Sequence, residues 1–226
     1  VTAGPVTPWT WELAELFNVQ GGQIHLTGSA ATSKDWFLDR LNVTGDVGSS
    51  DGNPVLLPVP GAATKLKSGH VAIAFGGASQ NWQAAITATG FANDTLTASK
   101  LAINGSGVAA NLDDAAHRRL TFNVDGNVDG VASGDPALAA ALGATIGIGA
   151  AGLWNAGKPL ELAQFRLLGK AFSVDTAGTF DKGVFNGHVG VSTTDMAAFS
   201  GLAGRPLSGG IALTATGSIS PLIGGF

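Results

Sequence analysis

The stretch LELAQFRLLGKAFSVDTAGTF (residues 160–180) decides the fold, because its apolar residues come in pairs that are two positions apart. The pairs are Leu160 and Leu162, Phe165 and Leu167, and Phe172 and Val174. A period of two is typical of β-strands that turn one face toward an apolar environment. From Leu162 to Phe165 the spacing is three, which predicts a bulge or a tight turn at that point.

The same pattern occurs 64 residues earlier, in LTASKLAINGSGVAANL (residues 96–112). The matching positions are Leu96 with Leu160, Ala98 with Leu162, Leu101 with Phe165, Ile103 with Leu167, Gly105 with Gly169, Val108 with Phe172, and Ala110 with Val174. A fainter third copy begins at LNVTGDV (residues 41–47). One offset kept over this many positions predicts an internal repeat and an elongated array. Chance similarity among strands rich in Gly and Ala is the alternative.

The composition excludes several classes of protein. Charged residues make up only 12% of the chain and apolar residues 45%, which is the opposite of the balance in disordered chains. The net charge is −4 and the basic residues are scattered, so we expect no nucleic-acid partner. Because the chain has no cysteine, disulfides, thiolate metal sites and cysteine nucleophiles are excluded.

The two ends of the sequence and one apolar segment bear on two questions: whether the chain is part of a longer protein, and whether it crosses a membrane. It starts at Val1 without a basic and apolar leader and ends in SPLIGGF in mid-pattern, so we expect a fragment or a mature piece of a longer protein. The segment PALAAALGATIGIGAAGLWNAG (residues 136–157) is uncharged and long enough to cross a bilayer. However, Pro136 after Asp135 predicts a helix start and Gly143 a helix end. A short helix followed by a strand of small residues is therefore expected instead.

Most of the remaining chain also alternates with period two, with Thr, Ser, Asn, Asp and Gln at the intervening positions. The alternating runs are Val71, Ile73 and Phe75; Trp82, Ala84, Ile86 and Ala88; Phe122, Val124 and Val128; Phe185, Gly187, Val189 and Val191; and Ile211, Leu213 and Ala215. The segments GGAS, NGSG, DKG and LSGG predict the breaks between strands.

Two further short helices are predicted. STTDMAAFSGLAG (residues 192–204) would be capped by Thr193 or Thr194 and end near Gly201 or Gly204. TWELAELFNVQGG (residues 10–22) places three apolar residues on one helical face, namely Leu13, Leu16 and Phe17. Helices so few and so short do not support a βαβ architecture, so we expect mainly antiparallel strands.

Two glycine-rich motifs resemble ligand-binding signatures without completing them. DGNVDG (residues 125–130) begins like a calcium loop, but the twelfth position is Pro136 and not a bidentate Glu, which favours a turn between strands. GIGAAG (residues 147–152) matches the dinucleotide fingerprint, but no helix is predicted after it and no acidic residue follows a second strand. We therefore predict no metal and no cofactor.

No catalytic constellation is recognisable. The four histidines have no metal-like spacing, and the carboxylate pairs are more simply explained as exposed turn or helix residues than as a glycosidase pair. The residues considered are His25, His70, His117 and His188, with Asp113 and Asp114, and Glu12 and Glu15. An enzyme is therefore not expected.

The alternation leaves two ways to accommodate the apolar face. A closed barrel or a two-sheet sandwich would seal the face against itself, whereas a sheet bent into a trough would leave it open to acyl chains. The alternation itself does not choose between them. The candidate groove residues are Val71, Ile73, Phe75, Ile86, Leu101, Ile103, Phe165, Leu167, Phe172, Val174, Phe180, Val189, Val191, Ile211 and Leu213.

The C-terminal half resembles a known family. MAAFSGLAGRPLSGGIALTATGSISP (residues 196–221) is similar to the repeat boundary of the TamB proteins, which are translocation and assembly module subunits within the AsmA-like family. ASGDPALAAALGATIGIGAAGLW (residues 132–154) and PLELAQFRLLGKAFSVDTAGTF (residues 159–180) resemble the segment that precedes it. The similarity covers residues 122–226 well and the earlier half loosely, and its motifs are compositional and not catalytic.

The resemblance implies a mainly β fold, with an elongated, curved, mostly antiparallel sheet that forms a taco-like groove, built from repeats and carrying two or three short helices. It divides the chain into an N-terminal β repeat segment, residues 1–112, and a TamB-like β repeat segment, residues 113–226, within one continuous array. The implied function is a periplasmic conduit that carries phospholipid between the inner and outer membranes, as part of a protein anchored in the inner membrane. The implied partners are phospholipid acyl chains and, through parts not present here, a TamA-like outer-membrane barrel that assembles outer-membrane proteins. The alternative is a structural β-solenoid or autotransporter-like segment with a solid core and no ligand.

Overall fold

The computed structural model describes residues 7–12, 22–32, 38–57, 63–76 and 80–220, with the backbone only for 7–12. Its strands are β1 (Thr7–Glu12), β2 (Gln23–Thr32), β3 (Leu38–Gly48), β4 (Val55–Leu57), β5 (Thr64–Leu66), β6 (Ser68–Gly76), β7 (Asn81–Ala92), β8 (Leu96–Ala110), β9 (Arg119–Asp129), β10 (Ala132–Ser133), β11 (Thr145–Asn155), β12 (Leu160–Leu168), β13 (Ser173–Asp181), β14 (Val184–Thr193) and β15 (Ile211–Ile219). Two helices, α1 (Pro136–Leu142) and α2 (Ser200–Ala203), are present in this part of the chain, and a 3₁₀ turn (Met196–Phe199) leads into α2.

The strands form one open antiparallel sheet. Its order is β1-β2-β3-β6-β7-β8-β9-β11-β12-β13-β14-β15, so the main strands follow one another in chain order. Three short strands leave this path, because β10 pairs with β8, and β4 pairs with β5, which touches β7. The predicted mainly β, mostly antiparallel and open architecture is confirmed. Residue 112 lies between β8 and β9, which pair with each other, so the sheet continues across that position.

The predicted break in alternation between Leu162 and Phe165 is a β-bulge. Leu162 lies opposite Gly152 and Gln164 lies opposite Ala151, so Ala163 is the extra residue of β12. The register with β13 shifts at the same place. A bulge bends its strand and increases the local twist, which agrees with a curved sheet. It also keeps Leu160 and Leu162 on the same face as Phe165, although Phe165 follows Leu162 by three positions, an odd spacing that would place them on opposite faces of a regular strand.

The 64-residue offset does not correspond to a structural repeat. Ile103 and Leu167 lie in the same row across the sheet, but β8 and β12 run in opposite directions along it. Gly105 is also in the middle of β8, whereas its counterpart Gly169 lies in the turn after β12. The recurring unit is therefore the single strand with its alternation, and similar strand sequences produce the offset.

The first predicted helix forms as expected. The Asp135 side chain accepts hydrogen bonds from the backbone N–H groups of Ala137 and Leu138, and Gly143 ends α1 with a φ of 74°. The strand of small residues that was predicted to follow is β11. No helix within the described ranges has both the length and the apolar character needed to cross a membrane.

The second predicted helix forms with a different cap. Asp195, and not Thr193 or Thr194, caps the 3₁₀ turn by accepting from the Ala197 N–H. The Thr193 hydroxyl instead accepts from the N–H of Asp195 and so orients that cap. The helical segment ends at Gly204, with a φ of 64°, as one of the two predicted ends.

Other local predictions are corrected. The third helix is wrong over its first residues, because β1 runs to Glu12, and its remainder at 13–21 lies outside the described residues. NGSG is inside β8 and DGNVDG, as far as Asp129, is inside β9, so neither is a turn. DKG does form the tight β13–β14 turn, in which Lys182 and Gly183 have φ values of 48° and 83°. LSGG lies in the connection before β15, as predicted.

The densest packing lies at one end of the strands. Val55 of β4 is 0% exposed and Leu66 of β5 is 7% exposed, and these are the only buried hydrophobic side chains larger than alanine in the described part of the chain. The side chains that pack around them are Ile24, Val47, Leu57, Ala88 and Phe91. The β4–β5 hairpin therefore covers the ends of β2, β3 and β7, and in the described part of the chain the rest of the sheet is a single layer.

Deleting Ala163 tests the role of the bulge. Without the extra residue, Leu160 and Leu162 must turn to the polar side or the strand must slip by one position. We expect the free energy of unfolding, measured by urea denaturation, to fall by more than about 2 kcal/mol. Ala163→Ser is the matched control, because it keeps the residue count, and it should change the free energy by less than about 1 kcal/mol. A deletion variant as stable as the control would contradict the assignment.

Truncating leucines separates the true core from the exposed face. Leu66→Ala should lower the free energy of unfolding by about 2 kcal/mol, because it opens a cavity in the small core. Leu213→Ala should change it by less than about 0.5 kcal/mol, because Leu213 is 59% exposed. Equal losses in urea denaturation would show that Leu213 is covered in solution.

Candidate functional site: an uncovered apolar sheet face

One side of the sheet carries apolar residues in unbroken rows across the strands. Directly opposite residues of antiparallel neighbours project from the same face, so the strand register defines each row. The row through Ile103 contains, from β2 to β15, Leu26, Gly45, Val71, Ile86, Ile103, Gly126, Ile148, Leu167, Val174, Val191 and Leu213. We call this side of the sheet the apolar face.

The adjacent row has the same character. It contains Gly28, Val43, Ile73, Ala84, Gly105, Val124, Ala150, Phe165, Thr176, Val189 and Ala215. Thr176 is the only polar residue in these two rows, and its hydroxyl donates to the backbone carbonyl of His188 at 2.5 Å. Trp82, on the same face, donates its indole N–H to the carbonyl of Thr121 at 3.0 Å. The face thus offers no charge and few free hydrogen-bonding groups along its two central rows.

The sheet brings the predicted groove residues together on this face. Fourteen of the fifteen lie in strands at apolar-face positions. Ten are in the two rows above, Phe75, Leu101 and Ile211 lie two residues further along a strand, and Phe180 lies four residues further. Phe172 is the exception in placement, because it precedes β13 and its ring packs over Gly169 in the turn. The sequence prediction did not include Leu26, Val43, Val124 or Ile148, which occupy equivalent positions.

None of the fifteen residues is buried. Val191 is 41% exposed and Leu213 is 59% exposed near the β15 edge, and Ile86 in the middle of the sheet is 40% exposed. The other predicted residues range from half-buried to exposed. Each main strand packs chiefly against its neighbours in the sheet. Apart from the β4–β5 end, the described residues therefore leave the apolar face uncovered.

Glycines on the face are covered by large side chains from neighbouring strands. A Cβ atom on Gly105 would lie 2.9 Å from the Trp82 ring, and one on Gly152 would lie 2.4 Å from the Phe122 ring. At these two positions, glycine leaves room for the ring of the neighbouring strand.

The apolar face contains a cleft next to the β4–β5 hairpin. Its volume is about 260 Å³. The apolar residues that line it are Ile24, Leu26, Gly45, Val47, Leu66, Gly69, Val71, Ile86 and Ala88. A Cβ on Gly45 would meet the side chains of Leu26 at 2.4 Å and Val71 at 2.9 Å, so the missing side chain helps to keep the cleft open.

The opposite face is polar and largely self-satisfied. Thr27 and Thr44 share a hydrogen bond of 2.6 Å across β2 and β3, and Ser173 and Ser192 share one of 2.7 Å across β13 and β14. His70 Nδ1 lies 2.7 Å from Asp46 Oδ1. Larger clefts of about 420 and 530 Å³ open on this side, and most of the residues that line them are small or can form hydrogen bonds. This face is suited to contact with solvent.

Three of the histidines considered above, His70, His117 and His188, contact a nearby carboxylate, and Glu15 lies outside the described residues. No group of three or more His, Asp or Glu side chains in the described ranges could hold a metal ion. His117 Nδ1 bonds Asp114 at 2.6 Å and lowers the pKa of that carboxyl. Hydrogen bonds from the Ser49 hydroxyl and from the backbone and side-chain N–H groups of Asn53 lower the pKa of Asp51 to about 2. Both carboxylates lie in exposed loops, so these shifts reflect local hydrogen bonding.

Comparison with family models, with curated proteins and with solved structures found no match to this chain. The geometry and chemistry of the apolar face therefore carry the functional interpretation, together with the sequence resemblance described above.

Cysteine labelling tests whether the face is open in solution. The chain has no native cysteine, so a single introduced thiol reports its own site. Ile86→Cys on the apolar face should react with a maleimide within about threefold of the rate of Thr87→Cys, its neighbour on the polar face. Val55→Cys should react at least about tenfold more slowly, because labelling requires local opening. If Ile86→Cys is as protected as Val55→Cys, the face is covered in solution.

Proposed function

We propose that the chain binds phospholipid acyl chains along the apolar face and serves as a segment of a lipid conduit. The observation that supports this proposal is the pair of apolar rows that run across eleven strands. The described residues leave these rows uncovered, and neither row contains a charged side chain. Exposed apolar patches of more than a few hundred Å² on soluble proteins generally mark sites of interaction. An acyl chain matches this surface because it offers apolar contact and requires no hydrogen bond.

Magnitudes favour a lipid with two chains. Burying one CH₂ group contributes roughly 0.8 kcal/mol, so a dozen groups with half their surface covered contribute roughly 5 kcal/mol. Association costs about 4–15 kcal/mol in lost translational and rotational freedom. One half-covered chain therefore barely offsets this cost, whereas two chains contribute roughly 10 kcal/mol. We expect phospholipid to be retained and single-chain fatty acids to exchange readily.

The wider role follows from the resemblance to TamB proteins. In this proposal the segment lies in the periplasm within a protein anchored in the inner membrane, and phospholipid moves along it between the inner and outer membranes. Support of outer-membrane protein assembly with a TamA-like barrel belongs to the same proposal. The polar face would then contact the aqueous periplasm while the apolar face holds the lipid.

Lipid extraction with matched variants tests the proposal. The purified chain should carry phospholipid that mass spectrometry detects in an organic extract. Ile86→Asp and Leu213→Asp should reduce bound phospholipid per chain by at least about tenfold, because a carboxylate would have to lose its hydration against an acyl chain. Thr87→Asp and Thr214→Asp add the same charge on the polar face and should change the amount by less than about twofold. Circular dichroism shows whether each variant keeps its strands.

Two outcomes would refute this function. Wild-type protein that carries no phospholipid, and that acquires none from vesicles, would support the alternative of a structural segment without a ligand. Equal loss of lipid from apolar-face and polar-face variants that remain folded would show that the lipid lies elsewhere.

A further inference from the structure

The apolar cleft beside the β4–β5 hairpin is closed at one end of the strands. Its floor contains Gly45 and Gly69, which leave a depression between the side chains of neighbouring strands. Leu66 of β5 closes the end next to Gly69, because its Cδ2 atom is 3.1 Å from the place that a Cβ on Gly69 would take. Leu66 is 7% exposed and packs with Val55, which is fully buried. An apolar chain that enters the cleft along the strands therefore stops at Leu66.

In the other direction along the strands the apolar surface continues. Val71, Ile73 and Phe75 occupy successive apolar-face positions of β6, and this strand ends at Gly76. From Gly69 to Phe75 the path covers six residues, or about 20 Å. The cleft is thus the closed end of a longer apolar path that runs along β6.

We infer that the cleft binds the methyl end of a phospholipid acyl chain, and that this chain lies along β6 with its headgroup at the Gly76 end. The inference rests on the proposed function, because it assigns an orientation to the lipid that the apolar face binds. The terminal carbons bind in the cleft because apolar burial grows with the area covered, and four strands and Leu66 cover more of each CH₂ group than the open sheet does.

The chemistry of the cleft selects this end of the lipid. A phosphate headgroup would lose its hydration in an apolar cleft, whereas the methyl end has no polar group to desolvate. Asp46, His70 and Thr87 also border the cleft, but they alternate with its apolar residues and therefore project from the polar face. His70 and Asp46 contact each other there.

The dimensions agree with an ordinary acyl chain. An apolar cavity of about 150 Å³ holds the six carbons of benzene, so a cleft of about 260 Å³ accommodates roughly ten carbons in the same proportion. One chain spans half of the hydrocarbon core of a bilayer, or roughly 15 Å. A chain that is somewhat more extended than in a bilayer therefore reaches from Leu66 to the end of β6.

Photo-crosslinking of the unmodified chain tests the orientation. Phosphatidylcholine with a diazirine near the methyl end of one acyl chain is compared with the same lipid carrying the diazirine near the carboxyl end, and mass spectrometry locates the adducts. The methyl-end probe should label residues 66–71 at least about threefold more than residues 73–76, because the two ends of the path are about 20 Å apart. The carboxyl-end probe should show the opposite preference.

A matched pair of glycine variants tests the cleft itself. Gly45→Val fills the depression and should lower methyl-end labelling of residues 66–71 by at least about threefold, because the chain loses apolar contact there. Gly217→Val adds the same side chain on the apolar face of β15, where a Cβ atom meets nothing within 4 Å. It should change that labelling by less than about 1.5-fold. Circular dichroism shows whether both variants keep their strands.

The outcomes separate this inference from the proposed function. If neither probe labels apolar-face residues, the proposed function fails and the inference fails with it. If both probes label the apolar face but have the same distribution along β6, lipid binding stands and the orientation is overturned. Unchanged methyl-end labelling in a folded Gly45→Val variant would show that the chain end lies outside the cleft.

Discussion

The rule that opposite residues of antiparallel strands share a face controls this structure. Because the register continues through eleven neighbouring strands, a single choice of parity places all their apolar residues on one side. A slip by one position in any strand would turn its apolar residues toward the polar side. The bulge at Ala163 shows how strict this requirement is. Phe165 follows Leu162 by an odd number of positions, and the unpaired Ala163 restores the alternation, so that Leu160, Leu162, Phe165 and Leu167 share the face. Function and fold therefore depend on the same register.

A sheet with so small a core must be stabilised mainly within its own layer. The backbone hydrogen bonds of the ladder supply one part, and neighbouring side chains within each face supply another. Large residues over glycines, such as Trp82 over Gly105, increase apolar contact without a second layer. Hydroxyl pairs such as Ser173 and Ser192 perform the corresponding role on the polar face. Among the described residues, deep packing of large side chains occurs around Val55 and Leu66, at one end of the strands.

Sequence reasoning was most successful where a local signal had a single physical meaning. Period-two runs identified β6, β7, β9, β14 and β15, and the Asp135, Pro136 and Gly143 signals identified α1. Sequence reasoning failed where glycine occurs inside a strand. The segment Asn104 to Gly107 was predicted to be a turn, but the neighbouring strands hold it extended within β8. The β4–β5 cover could not be anticipated, because its two strands have three residues each and only their contact with β7 defines them. The alternation predicted which residues share a face, but it did not show that no second sheet of the described residues lies on that face.

The apolar character of the two central rows has a consequence for any apolar ligand that binds there. Successive strands are about 4.8 Å apart, so the eleven strands form a track of roughly 50 Å on which each step replaces one set of methyl and methylene contacts by another much like it. Since those rows carry no charge and no free hydroxyl, a ligand that moves along them would not have to break a polar interaction. The residence time of such a ligand would thus be set by the length of its apolar chain. Its lateral diffusion along the track would need no moving part of the protein.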